Sequence, residues 1–137
     1  MPGAGEVLVK AKEGGFTVVL VTGSGQLSLI DRLEMNFPGI FTKDRMITSY
    51  DVKHGKPNPE PYLMALQKAG VKPWEAVVIE NAPLGVQSAS AAGIFTIAIN
   101  TGPIDDDVLF ASGANALLPS MTALSDKWEN IVADMRK

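Results

Sequence analysis

An α/β fold with a parallel sheet is predicted for this chain, and two observations predict it. Short apolar runs rich in β-branched residues alternate with longer stretches of helical spacing, the rhythm of strands covered by helices. Neither a hairpin turn signal nor a linker interrupts that alternation. Without hairpins, successive strands must be joined by crossovers, which makes the sheet parallel. At 137 residues the chain reads as a single domain over 1–137.

The elements follow in order. Glu6 to about Glu13 has helical spacing and ends at Gly14-Gly15. Thr17-Val18-Val19-Leu20-Val21 is a continuous apolar run that stops at Thr22-Gly23, which predicts a strand buried on both faces. A helix is predicted from about Gln26 to Asn36, with Leu27, Ile30 and Leu33 on one side. Met46-Ile47-Thr48-Ser49 is a short, weaker strand. Pro57-Asn58-Pro59 breaks the chain, and Pro59 suits the first turn of a helix. Its apolar side is Tyr62, Leu63, Leu66 and Ala69, and Gly70 ends it.

Ala76 to Ile79 is the next strand, closing on Glu80-Asn81. Pro83 can open a helix of small residues, Val86 to Ala92, able to lie close to a sheet and capped by Gly93. Phe95 to Ile99 is a further strand. Asp105-Asp106-Asp107 opens a short helix, where negative charge suits the dipole. Ala116-Leu117-Leu118 is an edge strand. Leu124, Trp128, Ile131 and Met135 define one amphipathic C-terminal helix.

Composition narrows the function. The net charge of −3 and scattered basic residues argue against a nucleic-acid-binding face, which needs clustered Lys and Arg. Cysteine is absent, so there is no disulfide framework, thiolate chemistry or Cys-ligated zinc. No apolar run reaches the roughly 20 residues of a membrane helix, and the first residues lack a signal peptide's pattern. A cytoplasmic location is the default expectation.

In parallel sheets, ligands sit beyond the carboxyl ends of the strands, so the residues there come first. Thr22-Gly23-Ser24-Gly25 offers two hydroxyls and bare backbone N–H groups ahead of a helix, a phosphate cradle. The plain alternative is an N-cap on Ser24 with glycines in the turn. Lys56, in His54-Gly55-Lys56-Pro57-Asn58-Pro59, is held by stiff neighbours, and a fixed ammonium can offset the charge on phosphoryl oxygens. Taken by itself, Lys56 reads more simply as an exposed turn residue. Glu80-Asn81 places two oxygen ligands at a strand end, which suits Mg²⁺; the alternative is a helix cap. His54, the single histidine, is given no role, and Asp105 and Asp107 read as a charged helix start.

Taken together and in order, these three loops resemble the haloacid dehalogenase superfamily of phosphatases and phosphomutases, and most closely its β-phosphoglucomutase-like branch. Thr22-Gly23-Ser24 looks like the second motif, Lys56 before Pro57 like the third, and Glu80-Asn81 followed by Ala82-Pro83-Leu84-Gly85-Val86 like the fourth. The resemblance implies a three-layer Rossmann-like sheet. It implies that Thr22 and Lys56 act in catalysis, that Thr22, Gly23, Ser24 and Lys56 hold the phosphoryl group, and that Glu80 and Asn81 hold Mg²⁺. The substrate would be a small phosphate ester such as a sugar phosphate, passing through an aspartyl-phosphate.

Two departures stand out. The family's first motif, a strand ending in D-x-D-G-T, does not occur in these residues, and neither does the helical cap domain. In the family that first strand lies between the strands ending at Thr22 and Glu80. The second departure is Asn81, where a second acid is common. The expectation is a fragment of a larger enzyme, or a chain that folds with its missing N-terminal segment or cap as partner. Alone it would bind Mg²⁺ and phosphate weakly and turn over nothing. Two rivals differ in class. A dinucleotide module would need Gly23-x-Gly25 to continue into a third glycine, but position 28 is Ser. The other is a non-catalytic Rossmann-like interaction domain.

Overall fold

The computed structural model describes residues 3–22 and 45–135. The helix predicted from Gln26 to Asn36, and Gly23 and Ser24 of the cradle, lie outside the described residues. The described elements run α1 (Ala4–Glu13), β1 (Leu20–Val21), β2 (Met46–Ile47), α2 (Glu60–Ala69), a 3₁₀ turn (Pro73–Glu75), β3 (Val77–Glu80), α3 (Pro83–Ala91), β4 (Phe95–Ile99), α4 (Asp106–Ala111), β5 (Ala116–Leu118), α5 (Met121–Asp126) and α6 (Trp128–Met135).

All strand pairings are parallel, as the sequence predicts. β1 pairs with β2, Leu20 opposite Met46. β3 pairs with β4, and β4 with β5, so β4 is the centre of a three-stranded sheet. Thr96 to Ile99, four of its five residues, are buried, which is why a mostly apolar run sits there, with the Thr96 hydroxyl bonded to the Ile94 carbonyl. Side chains alternate across that sheet. Ile97 and Ile99 meet Val7 of α1 and Leu124 of α5 on one face. Val78 meets Tyr62 and Leu66 of α2 and Ala89 of α3 on the other, and Ala98 meets Val86 of α3 and Leu109 of α4. Helices thus cover both faces, giving three layers. Each fully buried aliphatic side chain contributes roughly 1.5–3 kcal/mol.

Helix ends follow local chemistry. Pro59 stands at the N-cap position of α2, where Asn58 Oδ1 accepts the Glu60 N–H, and Gly70 ends the helix at φ 70°, a conformation costly for any residue with a Cβ. Gly93 does the same after α3 at φ 79°. Asp105 precedes α4, and two acids fill its first turn. Among the described residues no helix is long and apolar enough to cross a membrane.

Three expectations are corrected. The strand predicted over Thr17–Val21 is paired only over Leu20–Val21 and is half-buried, not buried on both faces. A strand exists only where a neighbour supplies hydrogen bonds, and β2 reaches only those two residues. Leu63 is 47% exposed, because α2 buries the face of Tyr62, Ala65 and Leu66 and Leu63 points about 100° away from Tyr62. The single C-terminal helix is two, α5 and α6, broken at Lys127, whose φ and ψ of −98° and 4° leave the helical region.

Among the described residues β1 and β3 are not hydrogen-bonded to each other. Between them runs an apolar groove of about 590 Å³. Leu20, Val77 and Ile79 line it from the strands, Val18 from the segment before β1, Val7 and Ala11 from α1, Leu66 from α2 and Trp128 from α6. Glu80, Asn81 and Tyr62 also line it.

Candidate phosphate and metal site

Two charged residues far apart in sequence meet at the end of this groove. Lys56 Nζ donates to Glu80 Oε1 at 2.5 Å. The side chains are 20% and 9% exposed, so both charges are largely withdrawn from water. Such a pair persists only where both charges are otherwise bonded, and here they are. Lys56 also donates to the Val21 carbonyl at the end of β1, at 3.4 Å, and its ammonium lies 5.4 Å from the Tyr62 ring centroid. Glu80 accepts from Tyr62 Oη at 3.1 Å through Oε1, and from its neighbour's main chain, Asn81 N–H, at 2.8 Å through Oε2.

An ammonium carries three donors. Among the described residues two of Lys56's have acceptors, Val21 and Glu80. Glu80 Oε2 accepts one N–H and retains a lone pair. Burial pushes the Tyr62 hydroxyl pKa up, and the Glu80 charge and hydrogen bond add to it, so Tyr62 stays a donor.

The remaining predicted residues divide. Thr22 directly follows β1, where its N–H donates to the Ile47 carbonyl at 2.9 Å. With Thr48, Ser49, Lys53, Gly55 and Lys56 it lines a pocket of about 170 Å³ at the carboxyl ends of β1 and β2. Asn81 is exposed beside Glu80. Gly23 and Ser24 lie outside the described residues. His54 is part of the loop's bracing. Its Nδ1 lies 3.0 Å from Glu60 Oε2, and Glu60 also accepts the N–H groups of Lys53 and His54 at 2.9 Å. Those bonds, the Lys53 N–H foremost, hold the Glu60 pKa below its ordinary range.

The sequence reading missed two contributors. Tyr62 was placed on an apolar face, yet its hydroxyl reaches Glu80 across eighteen positions. Gly85 lies against the Glu80 side chain, so a Cβ there would collide with Oε1, Cδ and Cγ of the carboxyl. Gly85 stands within the fourth motif as a glycine ahead of a small-residue helix, a signal of the position but not of its contact with Glu80. Tyr62 gave none, because its partner comes from a distant strand.

As a place for Mg²⁺, the site offers hard oxygen donors. Among the described residues no three His, Cys, Asp or Glu side chains cluster, so of these residues Glu80 and the Asn81 amide are the candidate donors. Mg²⁺ commonly takes one or two carboxylates and completes its shell with phosphate and water. That set is therefore sufficient in kind and low in charge.

The family model for haloacid dehalogenase-like hydrolases matches residues 1–99. The chain belongs to that family, in its β-phosphoglucomutase-like branch. It is 38% identical to hexitol phosphatase A of Escherichia coli over 73% of this chain and 45% of that protein. It is 34% identical to the phosphorylated carbohydrates phosphatase of Thermotoga maritima over 85% of this chain and 54% of that one. Among solved structures, a Bacteroides vulgatus protein assigned to the beta-phosphoglucomutases superimposes at TM-score 0.94 with 60% identity, covering all of this chain and 55% of that one. The chain thus spans about half the length of the relatives it matches.

Proposed function

We propose that this chain forms the phosphate- and metal-facing wall of a phosphotransferase site that acts on small phosphate esters, sugar phosphates foremost. The observation that carries this reading is the meeting of Lys56 and Glu80 at the groove mouth, beyond the strand ends. The sugar-phosphate class draws support from relatives named for hexitol and phosphorylated carbohydrates.

In this reading the Lys56 ammonium and the hydroxyl of Thr22 bind phosphoryl oxygens, with Gly23 and Ser24 completing the cradle. Lys56 is fixed by Glu80, Val21 and Tyr62, so it need not reorganise as negative charge builds on those oxygens. Glu80, through Oε2, and Asn81 would hold Mg²⁺, which when bound would help neutralise that charge. The ammonium bonded to Glu80 and the neutral Asn81 both weaken the pull on a cation, so affinity for Mg²⁺ alone is low. The nucleophilic Asp would come from a strand outside these residues, seated in the groove as the central strand of a joined sheet. The edges of β1 and β3, unpaired among the described residues, and the apolar lining support that seat. They also favour an interaction role for the 137 residues taken alone, with 1–137 as part of a larger core domain.

Titrating the chain with inorganic phosphate, with and without Mg²⁺, tests the reading. Phosphate should bind in the millimolar range, about −4 kcal/mol, and Lys56→Ala should abolish it. Adding the segment that the Bacteroides vulgatus relative carries beyond the match should create sugar-phosphate hydrolysis. Phosphate binding that ignores Lys56→Ala would sink the proposal, and a stable complex without turnover would leave only the interaction role.

A further inference from the structure

Ser88 sits in the small-residue helix α3, where composition explains it as a spacer. The structure gives its hydroxyl a definite partner. Ser88 is fully buried, and Oγ donates to the Asn58 carbonyl at 2.7 Å, thirty positions away. A helical serine commonly turns its hydroxyl back to the carbonyl one turn earlier in its own helix. Ser88 spends its single donor on the loop that carries Lys56 instead.

Apart from the bonds Lys56 itself makes to Val21 and Glu80, that loop is braced from within. Asn58 N–H donates to the Gly55 carbonyl at 3.0 Å, closing a turn around Lys56 and Pro57. Asn58 Oδ1 accepts the Glu60 N–H at 2.9 Å, joining the turn to the start of α2. These bonds shape the turn, and among the described residues the Ser88 hydroxyl is what ties its main chain to α3. One helical turn before Ser88, on the same side of α3, Gly85 makes room for the Glu80 carboxyl. One helix therefore touches both the Glu80 carboxyl and the loop that carries Lys56.

We propose that Ser88 is a positioning residue, which clamps the Asn58 carbonyl and so sets where the Lys56 ammonium stands relative to Glu80 and a bound phosphate. The functional part of this inference rests on the phosphate-site reading above. The clamp itself does not.

The test compares Ser88→Ala with Ser125→Ala. Ser125 is equally buried but donates to Glu6 Oε2, at 3.4 Å, on the far face of the sheet. Two quantities are read in the 137-residue chain: amide exchange at Asn58 relative to Ile97, and the dissociation constant of inorganic phosphate. In Ser88→Ala, exchange at Asn58 should quicken about tenfold beyond any change at Ile97. Phosphate affinity should fall about five- to tenfold. Ser125→Ala should change neither, whatever its melting temperature does. If Asn58 and Ile97 shift together in Ser88→Ala, the hydroxyl is merely structural and the proposal is overturned. A wild-type chain that binds no phosphate would overturn the phosphate-site reading, and exchange at Asn58 would still decide the clamp.

Discussion

Replacing Lys56 by Met is the most informative single perturbation of this molecule. Met keeps the unbranched stem and removes the charge. Glu80, 9% exposed, would then hold an uncompensated carboxylate with two donors left, Tyr62 Oη and the Asn81 N–H. Removing one partner of a deeply buried pair costs roughly 3–5 kcal/mol, and of an exposed pair roughly 0.2–1 kcal/mol. This pair keeps a window on water at the Lys56 end and two other hydrogen bonds at the Glu80 end. The expected loss is therefore about 2 kcal/mol, a fall of about 8 °C in melting temperature for a chain of this size. Adding Glu80→Gln removes the stranded charge while an amide oxygen still accepts from Tyr62. The double variant should return to within about 1 kcal/mol of the native chain. Urea unfolding followed by far-UV circular dichroism gives all four corners of the cycle. A loss below about 0.5 kcal/mol in Lys56→Met, or a double variant costing the sum of the singles, would show that the two charges do not depend on each other.

Two further perturbations probe the surroundings. Gly85→Ala should displace the Glu80 carboxyl and cost about 1–2 kcal/mol even though Ala favours a helix by about 1 kcal/mol over Gly. Gly55→Ala, where an added Cβ meets nothing within 4 Å, should be close to neutral. A harmless Gly85→Ala in the same urea assay would mean the carboxyl is not confined by α3. For Glu60 the sign is fixed by its lowered pKa. The stabilisation it gives the 53–60 loop is present above the ordinary value of 4.5 and is lost as pH falls through the lower folded value. The Lys53 and His54 amide shifts should titrate with a midpoint below 4.5, and Glu60→Gln should abolish that transition. A midpoint at or above the ordinary value would refute the bracing role.

Much of this architecture was legible in the chain, and where it was not the reason is physical. Val77 to Ile79 and Phe95 to Ile99 announce themselves because strands packed under helices are rich in apolar and β-branched residues. Gly70 and Gly93 mark helix ends because only glycine adopts positive φ there without penalty. Thr17 to Val19 carry the same apolar signature as Leu20-Val21, but pairing is a property of two segments and cannot be read from one. Lys56 and Glu80 could be named from their motifs. That they bond directly, with Tyr62 on the same oxygen, depends on how α2 packs against β3. Ser88 and Ala89 both look like small fillers, and only the loop's return to α3 separates them.

The chain also carries its own optical probe. Its two tryptophans stand in opposite settings. Trp74 is 78% exposed with Lys72 over its ring at 5.6 Å, away from the groove. Trp128 lines the groove, with Phe16 set edge-on at a centroid distance of 5.9 Å. Anything that fills the space between β1 and β3 changes the polarity around one indole and leaves the other in water. With Trp74→Phe as background, the emission maximum of Trp128 becomes a direct readout of whether that space is wet or occupied, with no label attached.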